Sequence, residues 1–525
     1  MRARYIVYLF AISWCLGGCT AGPHYVRPDV QVPGRWTEEA ADNTHAGTIG
    51  VSQWWKLFND PALNSLAGRA VGKNLDLRIA ESRIREVRSA LGVAAAAGLP
   101  RVDASALYTR GQRSESVPPF RSQAPGGASS NGSVFGNRRQ NLFQAGFDSS
   151  WEIDVFGGVR RDVEAAKADI AAAEEGRRDV LVTLLAEVGR NYMALRGSQS
   201  RTAILHSNLE AQREILELTK VRFDAGLTTG LDVARAESLV ATTRAQLPIL
   251  DAEMKQTIYR LGVLVGGPPG GLLRELSKEA PVPFHIPHVP LGLPSEMLRR
   301  RPDIRRAEKE LEAATARVGV ATADLFPRFS LTGSFGRRSD AFVDLSSGTS
   351  QLWAFGPSIR WPIFAGGRIR ANIQVQNARQ EQALALYEKA VLNSLEDVEN
   401  ALVSYSREQE RHRSLMEAVA ANRRAVEMAN SRYSGGLEDF LSVLDARRSL
   451  FDSEDQLAQS EQAVAENVVR LYKALGGGWE EPTAVSNGLQ RMEPSSTFVA
   501  GSHPSMRTLS SDPVIQSASA SSPAP

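Results

Sequence analysis

The sequence predicts an α+β membrane protein in which two related halves each combine long α-helices with short amphipathic β-strands. Three observations lead to this fold class: an internal repeat across most of the 525 residues, long proline-free segments with a seven-residue hydrophobic spacing, and short runs in which apolar and polar residues alternate. Beyond the N-terminus, no stretch approaches the ~20 consecutive apolar residues of a transmembrane helix. This excludes a helical multi-span transporter.

The internal repeat is clearest in two short motifs. Arg222–Leu227 returns as Arg432–Leu437 with an offset of 210 residues, and Pro100–Arg101 returns as Pro327–Arg328 with an offset of 227. The offset changes because the two copies differ in length between these motifs, where a Gly/Ser-rich run at 114–137 predicts an exposed loop. Self-similarity at a fixed spacing over such a length indicates a duplication.

Both copies contain the same predicted elements in the same order. A helical segment is followed by two alternating runs, a very long helix, a glycine-containing turn and a half-length helix. At 1.5 Å per residue each long helix extends ~100 Å, and we expect the two shorter helical segments of a copy to stack end to end beside it. The predicted helices are Pro61–Leu99, Val159–Asp224 and Leu231–Val265 in the first copy, and Pro294–Phe326, Gly367–Ser434 and Leu441–Leu475 in the second.

The half-length helices carry hydrophobic residues at every seventh position, a pattern typical of coiled-coil packing. In the second copy, small or short residues stand three positions after each of these and allow neighbouring helices to approach closely. In the first copy, Pro248 interrupts the pattern and predicts a kink or a lost hydrogen bond. The heptad positions are Val233, Val240, Leu247, Met254 and Leu261 in the first copy and Val443, Leu450, Leu457, Val464 and Leu471 in the second.

Four short runs predict β-strands with one apolar face. Residues 143–154, 329–335 and 353–363 alternate apolar or aromatic side chains with polar ones, whereas 102–109 alternates poorly. A period of two with aromatic residues on one face is typical of transmembrane β-strands. The alternative is a soluble sheet that packs this face on a core, but the long helices leave no obvious core to cover it. Because four strands cannot close a barrel and open edges do not survive in lipid, several chains must contribute to one barrel.

The first 19 residues predict an export signal. Two arginines precede an apolar stretch that is too short for a permanent anchor, and small residues then precede Cys19. Leu16–Cys19 resembles a bacterial lipobox, in which the cysteine is lipidated and becomes the new N-terminus. By resemblance to lipoprotein sorting, Thr20 after it favours the outer membrane. The alternative is that Cys15 and Cys19 are buried or redox-active thiols, which their position in a signal segment disfavours.

Composition excludes several classes of function. The formal net charge is +2, with 61 Lys and Arg against 59 Asp and Glu, which disfavours a nucleic-acid binder. The sequence has two cysteines, both near its start, so we expect no disulfide framework and no thiolate metal site. His285 and His288 lie close together without a nearby carboxylate and are interpreted as loop residues. We expect a non-enzyme with no catalytic residues, no metal and no cofactor other than a covalent lipid on Cys19.

Five sequence motifs point to one known family. They are Gly22–Tyr25 with Pro28, Trp54–Trp55, Leu298–Glu308, Phe326–Leu331 and Phe364–Arg368. Together they resemble the outer-membrane efflux channel family, the TolC-like outer-membrane factors, and within it the NodT-type lipoproteins. The resemblance covers roughly residues 19–480. It implies a homotrimer in which three chains, with four strands each, form one twelve-stranded β-barrel in the outer membrane. Twelve helices then continue this barrel as a periplasmic α-helical tunnel.

The resemblance also implies where such a channel closes. Leu441, Asp445 and Arg448 are implied to form the periplasmic gate, with Leu441 narrowing the pore and the charged pair tying neighbouring helices together. Positions i, i+4 and i+7 lie on one face of a helix. The alternative is a solvated acidic–basic pair near a helix start. The first-copy equivalents do not repeat this charge pattern, so only the second copy is expected to carry the lock. These equivalents are Leu231, Arg235 and Ser238.

The two hairpin tips are implied to be the contact surface for a periplasmic adaptor, or membrane fusion protein. Glycines at both tips are expected to adopt the positive φ of a tight helix–helix turn. The turn alone explains these glycines, so the docking role rests on the resemblance. The implied docking residues are Gly226, Leu227, Leu231, Gly436 and Leu437.

These observations predict the exit duct of a tripartite efflux pump, a passive channel for small molecules and drugs in the outer membrane that extends into the periplasm. Its expected partners are two further copies of the chain, the adaptor, outer-membrane lipid and an inner-membrane transporter of the resistance–nodulation–division type. The alternatives are an outer-membrane channel for type I protein secretion and a periplasmic coiled-coil adaptor or scaffold that conducts nothing. The predicted organisation is a signal peptide (1–18), a lipidated segment (19–60), two efflux repeats (61–270 and 294–480) around a Pro-rich connector (271–293), and a disordered tail (481–525).

Overall fold

The structure, a computed structural model, describes residues 20–37, 44–45, 52–112, 139–284, 289–290 and 294–479. The predicted signal segment, Cys19, the 114–137 loop, the two loop histidines and the predicted tail lie outside these ranges. Within the described residues the helices are α1 (Pro61–Lys73), α2 (Leu75–Ala96), α3 (Gly158–Asp224), α4 (Gly230–Arg244), α5 (Leu247–Leu264), α6 (Leu273–Leu276), α7 (Pro294–Arg300), α8 (Pro302–Ala323), α9 (Arg368–Ser434) and α10 (Phe440–Ala474). The strands are β1 (Thr44–His45), β2 (Arg101–Gln112), β3 (Arg139–Ile153), β4 (Val289–Pro290), β5 (Arg328–Ser339) and β6 (Gln351–Arg360).

The two long helices are confirmed. α3 and α9 are each 67 residues long, which is about 100 Å at the usual helical rise. Both follow a glycine with positive φ, Gly157 at 77° and Gly367 at 82°, and these glycines are 210 residues apart. The left-handed backbone turns the exit of a strand into the start of a helix, and a residue with a Cβ would be strained there.

The shorter helices stack beside the long ones, as predicted. α2 and the α4–α5 pair both pack on α3, whereas α8 and α10 each pack on both α3 and α9. Three of the predicted helices are nevertheless interrupted, at Asn74, at residues 245–246 before Pro248, and at Arg301. Asn74 and Arg301 have extended backbone, with ψ of 137° and 124°, and each is the N-cap residue of the helix that follows. Hydrophobic spacing alone does not reveal such a break, because the pattern continues across it.

The two copies differ in which row of the half-length helices is buried. In α10 the predicted heptad row and the row three positions later are both buried in part: Val443, Val464 and Leu471 of the heptad row are at most 1% exposed, and the small or short residues of the later row let the helices approach closely. In the first copy the buried row lies three positions after the predicted heptad residues, and four of the five heptad residues are only half-buried. The buried residues of the row three positions after the heptad are Ala236, Thr243, Leu250 and Leu264 in the first copy and Ser453, Ser460, Asn467 and Ala474 in the second.

Strands β2, β3, β5 and β6 form one antiparallel sheet in that order. Phe147 of β3 lies opposite Ala104 of β2 and Phe335 of β5, and Phe335 lies opposite Trp353 of β6. The register therefore collects most of the large apolar residues of the four strands on one side, which we call the apolar face. Its members include Val102, Ala104, Tyr108, Phe143, Phe147, Trp151, Ile153, Phe329, Leu331, Phe335, Trp353, Phe355 and Ile359.

The polar residues of the same strands share the opposite side of the sheet. Asp103, Asp148 and Ser334 lie in one register row there, followed by Ala354 of β6. The weakly alternating first run thus joins the sheet over 12 residues, in register with its neighbours. The prediction that β6 continues to residue 363 is wrong, because Pro362 follows Trp361 and cannot donate to a strand ladder.

The duplication is visible in single hydrogen bonds at the end of the sheet nearest the helices. Trp151 Nε1 donates to the Gly98 carbonyl oxygen at 2.9 Å, and Trp361 Nε1 donates to the Leu325 carbonyl oxygen at 3.1 Å. The two tryptophans are 210 residues apart and their acceptors 227 apart, which are the two offsets of the repeat. Each copy therefore uses the same contact to join the last helical turn before the sheet to the strand that returns from it.

The largest buried cluster lies where α1, α3, α9 and α10 meet. Trp54 stacks on Tyr472 with 5.9 Å between ring centroids, and a Cβ on Gly189 would lie 2.6 Å from the Trp54 ring. In the described part of the chain, no helix is long and apolar enough to cross a membrane.

Candidate gate and docking tips

The two hairpin tips have the same backbone turn. At the α3–α4 tip, Leu227 N donates to the Arg222 carbonyl oxygen at 2.8 Å, and at the α9–α10 tip the bond from Leu437 to Arg432 is 2.9 Å. Gly226 and Gly436 have φ of 72° and 71°. This is the helix-ending motif that requires a left-handed residue, so the glycines are explained by the turn, as predicted.

Different residues cap the helices that leave the two tips. In the first copy, the Thr229 hydroxyl and backbone N–H both donate to Asp232, at 2.7 and 3.2 Å. In the first copy the acid is thus the third residue after the N-cap, whereas in the second copy the N-cap residue of α10 is itself the acid: Asp439 accepts from Ser442 N at 3.0 Å. Side-chain hydrogen bonds from Thr229 lower the pKa of Asp232, and the backbone hydrogen bond from Ser442 lowers the pKa of Asp439. Both tips therefore present a charged, capped helix start at neutral pH.

Contacts between the two tips join them within one chain. The Arg222 guanidinium lies 4.3 Å from the centroid of the Tyr433 ring and donates to the Tyr433 carbonyl oxygen at 3.3 Å. Tyr433 forms a small buried cluster with Ala236, Phe440 and Val443. The sequence interpretation missed this link, although the Arg222–Tyr433 pair combines one residue from each copy of the repeated motif. The predicted docking leucines lie outside the cluster and remain exposed: Leu227 by 68%, Leu231 by 58% and Leu437 by 74%.

The three predicted gate residues line one groove. Leu441, Asp445 and Arg448 of α10 face the first-copy residues Arg235 and Ser238 of α4 across a space of about 550 Å³. Leu231, the first-copy equivalent of Leu441, does not line this groove. The helical spacing of the three residues thus places them on a common surface.

The two charged gate residues are exposed, and Asp445 in particular is available to bind outside its own helix. Asp445 forms no hydrogen bond or ion pair within the part of the chain that the structure describes. Arg448 lies one turn before Asp452, with 4.0 Å between Nε and Oδ2, and its side chain is 76% exposed. Asp452 is a groove residue that the sequence interpretation missed, and its i, i+4 spacing from Arg448 was the available signal.

The N-terminal strap, residues 20–37, begins where the sheet meets the helices. Ala21 N donates to the Phe156 carbonyl oxygen at 3.0 Å, and Arg161, which is only 1% exposed, donates to the Ala21 carbonyl oxygen at 3.1 Å. Further on, Arg27 pairs with Glu308 of α8 at 3.1 Å. Cys19 itself lies outside the described residues, but its neighbour in sequence is fixed at the junction between β3 and α3.

Among the described residues, no group of three or more His, Cys, Asp or Glu side chains is placed to hold a metal ion. The two loop histidines of the Pro-rich connector lie outside those residues.

A family model described as "Outer membrane efflux protein" matches residues 66–267 and 293–477. Nodulation protein T of Rhizobium leguminosarum bv. trifolii is 33% identical, with 91% of this chain and 97% of the relative covered. The pyoverdine export outer membrane protein OpmQ of Pseudomonas aeruginosa is also 33% identical, with 90% and 97% covered. The toluene efflux pump outer membrane protein TtgF of Pseudomonas putida is 32% identical, with 91% and 98% covered.

Solved structures give the same result. The outer-membrane channel OprN has a TM-score of 0.79 and 38% identity, with 88% of this chain and 100% of that chain covered. The open state of the Neisseria gonorrhoeae MtrE outer-membrane channel has a TM-score of 0.75 and 29% identity, with 88% and 99% covered. The chain therefore belongs to the outer membrane efflux protein family, and it is an outer-membrane exit channel that extends into the periplasm.

Proposed function

We propose that three copies of this chain form one passive exit duct whose closed state is held by the second-copy hairpin. In this proposal the three four-stranded sheets complete a twelve-stranded barrel, and the helices continue it as a tunnel. No catalytic step is assigned to the chain. The energy for export would come from the inner-membrane partner.

The observation that carries this proposal is the sheet. Its apolar face is continuous over four strands, and Phe147, Trp353 and Phe355 on it are 57%, 74% and 72% exposed. Its outer strands, β2 and β6, each have one unpaired edge among the described residues. An open edge in lipid leaves backbone N–H and C=O groups without partners, at several kcal/mol each. Further copies of the same sheet satisfy these edges and keep the apolar face toward lipid.

In the closed duct, Leu441 narrows the lumen, and Asp445 and Arg448 bind across to a neighbouring chain. The support is that both charged side chains are exposed on one groove while Asp445 has no partner within the described part of its own chain. A charge-assisted hydrogen bond across a subunit boundary is stronger than a neutral one and is broken when the helices separate.

The periplasmic adaptor is proposed to dock on the exposed tips, with an inner-membrane transporter of the resistance–nodulation–division type behind it. The exposed leucines, Leu227 and Leu437, offer the apolar part of that contact. Relatives are named for the export of pyoverdine and of toluene, which supports small organic molecules as the cargo.

A lipid on Cys19 is proposed as an additional anchor. The residue after it, Thr20, lies against Gly157, at the end of the sheet from which the helices begin. Acyl chains attached there would reach the inner leaflet of the outer membrane without stretching the strap.

The gate is tested by single-channel conductance of the purified protein in a planar bilayer. Wild type should give small, mostly closed currents, and Asp445→Ala should raise the open fraction several-fold because the charged tie is lost. Arg235→Ala is the matched control, since Arg235 lines the same groove on the first-copy helix and should leave the current near that of wild type.

Equal effects of the two substitutions would show that any charge in the groove matters and would refute a lock confined to the second copy. An unchanged current in Asp445→Ala would move the constriction elsewhere. A well-folded protein that conducts in neither form would refute the duct.

A further inference from the structure

Arg301 lies at the point where three helices meet. It is the N-cap residue of α8 and is 8% exposed. Its Nη1 donates to the carbonyl oxygens of Ala474, the last residue of α10, at 3.0 Å, and of Ser394 on α9 at 3.4 Å. Its Nη2 pairs with Asp303 of α8 at 2.7 Å and with Asp397 of α9 at 2.9 Å. One guanidinium therefore joins the start of α8, the middle of α9 and the end of α10.

The first copy has an uncharged version of the same junction. Asn74 stands 227 residues before Arg301, and its Nδ2 donates to the Leu264 carbonyl oxygen at 3.0 Å. Leu264 is the last residue of α5 and stands 210 residues before Ala474. Asn74 Oδ1 also caps α2 by accepting from Asp76 N at 2.8 Å. Both copies thus fasten the end of a half-length helix, α5 or α10, to the start of α2 or α8. The first copy ties α5 to its long helix through a separate pair, Arg260 with Glu187, whereas in the second copy the junction residue Arg301 itself forms the ion pair, with Asp397.

α9 and α10 are tied to each other at intervals of about two to three turns of α10. Ser460 Oγ donates to Glu408 at 2.6 Å, Asn467 Nδ2 donates to the Ser404 carbonyl oxygen at 3.2 Å, and Asn422 Nδ2 donates to the Ser449 carbonyl oxygen at 3.1 Å. These polar contacts lie among the small buried residues of α10, and they fix its position along α9. The two helices form one arm, and Arg301 attaches the end of that arm to α8.

We propose that Arg301 is a positioning residue for the gate, because it fixes the end of the arm that carries Asp445. The inference rests on the proposed function. Asp445 precedes Ala474 by 29 residues, about 44 Å along α10. A rigid helix held at that end keeps Asp445 in place, and one released there can shift or rotate. Asn74 fixes the first-copy arm in the same way, but that arm carries no charged lock.

The first test is hydrogen–deuterium exchange of the full-length protein with Arg301→Lys and its first-copy counterpart, Asn74→Ala. Lysine keeps a positive charge beside Asp303 and Asp397, which favours folding. It lacks the planar guanidinium group whose several N–H donors reach all three helices. Arg301→Lys should speed exchange at least about threefold in residues 465–474 and 434–445 and leave 224–235 unchanged. Asn74→Ala should speed exchange in 258–264 and leave 434–445 unchanged. Equal loosening of both hairpins, or no change in 465–474, would overturn the assignment.

The second test is conductance, with Asp445→Ala as the reference. Arg301→Lys should raise the open fraction several-fold, Asn74→Ala should not, and the Arg301→Lys/Asp445→Ala double variant should add little to Asp445→Ala. If Asp445→Ala opens the channel and Arg301→Lys does not, the positioning role is wrong and the gate stands. If Asp445→Ala itself has no effect, the gate is wrong and the positioning role falls with it.

Discussion

His412 on α9 shows how burial outweighs a nearby carboxylate in controlling a titratable side chain. Its ring stacks on Phe284 with 4.8 Å between centroids, and among the described residues its Nε2 has no hydrogen-bond partner. Burial lowers the pKa of His412, and Glu408 on the same helix opposes this effect. Glu461 of α10 faces it at 4.0 Å, and burial raises the pKa of that carboxyl. Near neutral pH the site therefore favours an uncharged imidazole.

This environment predicts an acid-sensitive contribution to stability. The unfolded chain takes up a proton on His412 near its ordinary pKa of 6.5, whereas the folded chain resists it, so stability falls as the pH drops below 6.5. His412→Gln removes this loss. We expect the melting temperature of His412→Gln minus that of wild type, both followed by circular dichroism, to increase as the pH is lowered from 7.5 to 5.5.

Glu461 acts in the opposite direction, because a raised pKa lets the folded state bind a proton before the unfolded state does. It is present in both proteins and cancels in the comparison. If the melting temperature of the variant minus that of wild type instead decreases as the pH falls to 5.5, protonated His412 gains a stabilising pair with Glu461. That result would contradict the prediction.

At the scale of elements, the sheet assigns opposite environments to adjacent residues. Phe355 belongs to the apolar face, and Ala354 points to the polar side, although both are exposed in the isolated chain. An arginine on a lipid-facing strand position costs about 2–4 kcal/mol near the bilayer midplane. Phe355→Arg should therefore reduce recovery of the protein in the outer-membrane fraction, and Ala354→Arg should not. Equal recovery of both variants would argue against lipid on the apolar face.

Helices and strands differed in how well the sequence predicted them. The long helices and the repeat were predicted because hydrophobic spacing and repeated glycine turns are local signals. The breaks at Asn74 and Arg301 were missed because each depends on a cap and on a carbonyl group more than 170 residues away in the chain. The sequence of strand β2 alternates poorly, and only its register with β3 shows that it belongs to the sheet. The gate residues were placed on a common face by helical spacing, but Asp452 and the Arg222–Tyr433 link required the fold.

At the scale of the whole molecule, two features can hold the chain in the membrane: the proposed lipid on Cys19 and the apolar face of the sheet. Each buried methylene of an acyl chain contributes about 0.8 kcal/mol. The apolar face adds at least a dozen large or apolar side chains per chain, several of them more than half exposed in the isolated chain. The sheet should therefore dominate once the barrel has formed, and the lipid should matter mainly before it.

This comparison predicts that the mature protein stays in the outer membrane without its lipid. Cys19→Ser, exported by a signal peptide of the ordinary cleavable kind, should remain in the membrane pellet after an alkaline carbonate wash, detected by immunoblot. Adding Phe355→Arg to it should release more protein than the same substitution does in the lipidated form, because the sheet then acts alone. Release of the Cys19→Ser protein into the wash would instead mean that acyl chains hold the chain at the membrane and that the apolar face contacts protein.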